Sequence, residues 1–117
     1  MRLVLDLPPD LANARMHWRT KHARQRIYCE ACDNRQLIGL LPPPGEPLVR
    51  AKVTAHFQMH NEMDWDNLFA RLKWALDWLV TRGYLVDDSP KVIPECPTVT
   101  QEIDRKNKRL AITLEPV

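Results

Sequence analysis

Asp64, Asp66 and the pair Asp87-Asp88 stand close together along the chain, with Arg71 and Lys73 between them. Carboxylates gathered in one place resist joint ionisation unless a cation or base holds them. A hard, oxygen-preferring divalent ion such as magnesium is the simplest resolution. Such an ion, with a lysine beside it, activates water and neutralises charge on a phosphodiester under attack. The residue types therefore point to a metal-dependent phosphodiesterase.

Two elements must position these groups. Residues 48–59 alternate, with Val49, Ala51, Val53, Ala55, Phe57 and Met59 on one face and Arg50, Lys52, Thr54, His56 and Gln58 on the other, the period of a half-buried strand. Beyond it, Leu68, Leu72, Ala75, Leu76, Leu79 and Val80 recur at three- and four-residue steps, and Arg82 and Gly83 close the run. That pattern predicts a helix of about four turns with a glycine stop. Asp66 is the expected N-cap. An extended lead-in turns Asp64 and Asp66 to one side, in front of a helix N-terminus that favours anions, a substrate phosphate included. Lys73 lies roughly two turns beyond Asp66 on the same face.

Asp87 and Asp88 return after Gly83-Tyr84-Leu85-Val86. A helix over 67–82 is about 24 Å long, whereas the chain from Gly83 to Asp88 spans at most ~17 Å. Closure onto the helix start is tight, so the third carboxylate comes either from the same chain or from a partner subunit.

Asp64-x-Asp66-Asn67, Arg71-Leu72-Lys73, Leu76-Asp77, Leu79, Gly83 and Val86-Asp87-Asp88-Ser89-Pro90, in this order, resemble the core motif of the RusA family of Holliday junction resolvases, especially its phage-type members. Pro8-Pro9 and Asn13-Ala14-Arg15 resemble that family's N-terminal motif. The resemblance implies a homodimeric, magnesium-dependent endodeoxyribonuclease that resolves four-way DNA junctions by paired symmetrical nicks, leaving 5′-phosphate and 3′-hydroxyl ends. By position, Asp64, Asp66 and Asp88 match its three metal-binding, catalytic carboxylates. The family's lysine sits one turn closer to them, where this chain has Ala70, and Lys73 on the same face is assigned its role. The segment Gln58-Met59-His60-Asn61-Glu62-Met63 also departs from the basic run that some members carry there.

The net charge of +2 does not by itself announce a nucleic-acid partner, but Arg15, Arg19, Lys21, Arg24 and Arg26 fall in a stretch without an acid. Such a strip offsets the repulsion between carboxylates and DNA. Asn13, Arg15, Arg19, Lys21, Arg24 and Arg71 form the candidate DNA-contacting set. Taken alone, Asp66-Asn67 is an ordinary helix cap and Asp87-Asp88-Ser89-Pro90 a solvated turn. Trp65, Trp74 and Trp78 read as core or dimer-interface residues of the helix. Cys29 and Cys32 have the spacing of half a zinc site, which Cys96 and His22 could complete, but no second half follows in sequence.

The remaining segments read as a strand over 2–7, a helix from Trp18 to about Ile38, a stiff connector at Pro42-Pro43-Pro44-Gly45, and strands over 98–103 and 109–114 joined as a hairpin. At 117 residues this is one α+β domain over 1–117, a mixed or antiparallel sheet with two main helices. No segment is apolar enough to span a membrane, and the N-terminus lacks a secretory core, so a cytoplasmic place in a bacterial or phage-infected cell is expected. Two other functions use the same residues: a flap- or fork-selective nuclease, and a branched-DNA-binding protein that has lost catalysis.

Overall fold

A computed structural model describes residues 1–9 and 18–117. Along the chain run β1 (Arg2–Leu5), α1 (Trp18–Leu37), β2 (Ala51–Met59), α2 (Trp65–Thr81), β3 (Thr98–Ile103) and β4 (Arg109–Pro116). The strands form one mixed sheet in the order β1-β4-β2-β3. β2 pairs antiparallel with β4 and parallel with β3, the latter in the register Thr54 opposite Thr98 through Met59 opposite Ile103. The α+β expectation is met.

The expected hairpin of the last two strands is not formed, because β2 lies between β3 and β4. Burial explains the order. Leu110, Ala111, Ile112 and Leu114 are all buried, which suits an interior strand, whereas β3 is mostly exposed and takes the edge. The connecting charged stretch crosses the end of β2 around Asp104. Its N–H donates to the Met59 carbonyl at 2.8 Å, and its Oδ1 accepts the N–H groups of Lys106 (3.2 Å) and Asn107 (3.1 Å). Gln58 Nε2 reaches Asp104 Oδ2 at 3.1 Å, so the loop is tied to the strand it bridges.

The alternation of β2 places Ala51, Val53, Ala55, Phe57 and Met59 in the core with Leu3, Leu5, Leu110, Ile112 and Leu114. Leu68, Leu72, Ala75, Leu76 and Leu79 of α2 join them, so its 3.6-residue period is core packing. Burying one such leucine is worth about 2 kcal/mol. Trp74 and Trp78 are also buried within a single chain, which withdraws them from the dimer face expected on this helix, whereas Trp65 is 56% exposed and not core.

Among its described side chains α1 contributes Tyr28 and Cys32 to the buried set and is held largely by polar links. The Tyr28 hydroxyl donates to the Asp6 carbonyl at 2.9 Å, and Arg35 pairs with the Asp6 carboxylate. Asp33 accepts from Arg82 (2.7 and 2.6 Å) and from the Trp78 indole (2.9 Å), fastening α1 to the end of α2. Among the described residues no helix is long and apolar enough to cross a membrane.

Candidate active site

Asp64, not Asp66, is the N-cap of α2. Its backbone is extended (φ −63°, ψ 149°), and its carbonyl accepts the Leu68 N–H at 3.2 Å. The Asp64 side chain makes no capping hydrogen bond. The helix begins before its apolar period does, because its first residues, Trp65 and Asp66, are exposed and Leu68 is the first to enter the core. Asp66 therefore sits in the first helical turn, where a carboxylate is favoured by the N–H groups around it. Asp64 and Asp66 line one recess with Glu62, Met63, Trp65 and Gln101.

Gln101 of β3 fixes the approach to this recess. Its Nε2 donates to the Met63 carbonyl and its Oε1 accepts the Met63 N–H, so the residue preceding Asp64 is clamped to the sheet edge. Sequence reasoning does not single out Gln101. Its only signal is a place in an alternating strand, and the bond it makes is across 38 residues of chain.

Lys73 and Asp88 meet directly. Lys73 Nζ lies 2.5 Å from Asp88 Oδ2 and 3.0 Å from Asp77 Oδ1, one turn along the helix. Asp88, then Asp77, hold the ammonium above the ordinary lysine range, so it stays charged. The return of Asp88 is built by Gly83, whose φ of 84° ends α2 in the left-handed region. Leu48 then takes the chain on both sides, donating to the Tyr84 carbonyl (3.0 Å) and accepting the Val86 N–H (3.1 Å). Asp87 folds onto its own turn, where the Asp88 N–H donates to Oδ1 at 2.8 Å and keeps its carboxyl below the usual range. Of the two adjacent acids, Asp88 is the one facing the helix.

The three predicted metal ligands are not gathered in one place. Asp88 returns to the level of Lys73, and Asp66 lies about 10 Å farther along the axis at ~1.5 Å per residue. Among the described residues no three of His, Cys, Asp and Glu are grouped so that they could hold a metal ion. Segment lengths make closure within one chain tight without excluding it, and the described residues do not close it. Asp64 and Asp66 remain as a carboxylate pair, and magnesium characteristically takes one or two carboxylates with water and substrate phosphates. The donor set thus fits an ion shared with substrate, not a cage of three side chains.

The candidate DNA contacts separate into distinct places. Lys21 and Arg24 are exposed on α1, the first lining a cleft with Lys73 and the second lining one with Asp6 and Tyr28. Arg71, expected among the DNA contacts, is instead buried at 8% exposure, with Nη1 3.5 Å from Met59 Sδ. Asn13, Arg15 and the Arg19 side chain lie outside the described residues. The cysteines likewise divide. Burial pushes the Cys32 thiol up to about 12 and raises Cys29 as well, while Cys96 is exposed beside the Lys73–Asp88 cleft.

Lys73 and Asp88 open onto a cleft of about 420 Å³ bounded by Phe69 and by Pro90, Pro94 and Pro97 of the returning segment. By helical spacing Asp66 and Lys73 share a face of α2, so the carboxylate recess and this cleft follow one another along the helix. A strand of polyanion lying along α2 would meet the helix N-terminus, then Lys73. No protein-family model matches the chain, and no curated protein is significantly similar to it.

Proposed function

We propose that the chain is a magnesium-dependent, structure-selective endodeoxyribonuclease that resolves four-way DNA junctions, as its resemblance to the RusA family implies. The observation that carries this reading is the Lys73–Asp88 contact at 2.5 Å on the helix that starts with Asp64 and Asp66. The four acidic and basic residues singled out by motif thus lie along one helix and the segment that returns to it.

Asp64 and Asp66 would hold magnesium together with water and a substrate phosphate. The bound ion would supply an activated water and neutralise charge on the reacting phosphate. Lys73, kept charged by its carboxylate neighbours, binds a non-bridging phosphate oxygen. Asp88 acts here as a positioning residue that aims the Lys73 ammonium. The helix N-terminus draws the phosphate toward Asp64 and Asp66. A four-way junction has two-fold symmetry, so paired nicks require two equivalent sites, which a homodimer supplies. Recognition then rests on backbone and branch shape.

The separation of Asp88 from Asp64 and Asp66 favours a second reading, a branched-DNA-binding protein without catalysis. A flap- or fork-selective nuclease would use the same side chains on another substrate. Cleavage of a labelled synthetic junction, flap and duplex by wild type and Asp66→Asn, with magnesium or EDTA, separates the three. Magnesium-dependent cuts confined to the junction and absent from the variant support the resolvase. Cuts in every branched substrate support the broader nuclease, and binding without cleavage supports the architectural protein.

A further inference from the structure

Lys73 faces a second cleft, on the side of α2 toward α1. It encloses about 230 Å³ and is lined by Lys21 and Gln25 of α1 and by Lys73, Trp74 and Asp77 of α2. Trp74 is 5% exposed, and its indole Nε1, buried from water, has no hydrogen-bond partner. A buried N–H without an acceptor is costly, and a phosphate oxygen seated against Trp74 would supply the missing partner. Among the described residues, neither Lys21 nor Gln25 commits its side chain to a hydrogen bond or ion pair. The carboxylate of Asp77 is engaged by Lys73 at 3.0 Å.

The free groups here are therefore mainly donors: the Lys21 ammonium, the Gln25 amide, the Trp74 indole N–H and the remaining capacity of Lys73. Among the described lining residues, Lys73 is offset by Asp77 and by Asp88 beside it, and Lys21 is the cation that no carboxylate engages. A small, acceptor-rich monoanion matches this lining in sign and in hydrogen bonding.

We propose that this cleft is a phosphate-binding subsite that seats a backbone phosphodiester of the DNA strand, next to the phosphate held by Lys73. The assignment of the phosphate to DNA rests on the nuclease reading above; the anion chemistry of the cleft does not. Lys73, lining both clefts, would link the two phosphates, and Lys21 would bring α1 onto the strand.

The test follows the Trp74 indole N–H in proton–nitrogen correlation spectra of the full chain, its signal assigned by its loss in Trp74→Phe. The probes are inorganic phosphate, the dinucleotide d(TpT) with its single internal phosphodiester, and an uncleaved four-way junction in EDTA. The subsite predicts that d(TpT) and the junction move the signal and that Lys21→Ala abolishes the movement. Lys21→Ala should also reduce the slope of log affinity for the junction against log salt by about 1, with Lys21→Arg restoring it. Movement with inorganic phosphate alone would overturn the DNA assignment in favour of a free-anion site. Silence of the signal toward all three probes would overturn the subsite, even if magnesium-dependent cleavage persists. Movement with d(TpT) and the junction but no cleavage under any condition would leave the subsite standing and remove the nuclease.

Discussion

Gln101 grips the backbone of Met63 from both sides, donating to its carbonyl at 2.9 Å and accepting its N–H at 3.0 Å. The contact joins the β3 edge to the residue before the α2 N-cap, so it governs where Asp64 stands. Gln101→Ala should lower stability by about 1–2 kcal/mol, since two partly buried backbone groups lose their partners. Single-turnover cleavage should fall more than junction affinity does. Urea unfolding and cleavage measured on the same preparation check this; unchanged cleavage with normal unfolding would remove Gln101 from the account of the site.

The proposed nuclease gives Lys73 a catalytic role and not a folding one. It is 60% exposed in its ion pair with Asp88, so Lys73→Met should cost less than about 1 kcal/mol of stability. Loss of a charge aimed at the reacting phosphate should reduce cleavage by about 10²-fold or more. Chemical denaturation and cleavage rates distinguish the two effects. The pH dependence has a definite sign. Because Asp88 and Asp77 raise the folded pKa of Lys73 above 10.5, its contribution is complete below that value and disappears as pH rises through the higher folded value. Deprotonation of Lys73 therefore cannot set an activity limb near neutral pH, and a limb there that vanishes in Lys73→Met would contradict this.

Asp33 fastens the two helices through Arg82 and Trp78. Asp33→Ala should cost about 2 kcal/mol at neutral pH, chiefly by stranding the Trp78 indole, because the Arg82 ion pair is solvated. Arg82 holds the Asp33 carboxyl below its ordinary value of 3.8. Its charge-linked contribution is thus present above pH 3.8 and lost as pH falls through the folded value. The gap in unfolding free energy between wild type and variant should narrow in acid by the charge-linked part, while the part due to the Trp78 indole, which a protonated carboxyl still accepts, remains. A gap that widens below pH 3.8 would contradict the assignment.

Gly83 ends α2 with φ of 84°, and a Cβ placed there would meet nothing closer than Pro47 Cγ at 4.0 Å. The cost of Gly83→Ala is therefore backbone conformation, about 1–2 kcal/mol, not collision. Thermal unfolding should show that loss. Because Gly83 starts the return toward Lys73, cleavage should decline as well, and a variant as stable as wild type would show that the turn tolerates a side chain.

The elements with a strong local period were readable in the residues themselves. β2 alternates and α2 repeats at helical steps because each buries one face, and Asp88 meets Lys73 because the chain after Gly83 is long enough to come back that far. The same lengths leave open whether Asp88 reaches Asp66, because the remaining gap is near what two side chains and a metal can span. Strand order was not readable: two alternating strands separated by a polar stretch look like a hairpin, and only the greater burial of β4 sends it across β2. The cap was misassigned to Asp66 because an exposed first turn carries no apolar signal. Arg71 and Gln101 depend on tertiary partners, Met59 and Met63, that no spacing rule connects.

Under the proposed function, two copies of this chain cut a DNA junction with paired nicks. A supercoiled plasmid carrying an extruded cruciform tests it most directly, because two nicks made within one binding event give a linear product, whereas independent nicks give an open circle first. Linear plasmid is expected as the earliest product in magnesium, with both cuts at the cruciform base and none made by Asp66→Asn. Open circles that accumulate before any linear form, or an intact plasmid bound by the protein in magnesium, would contradict it.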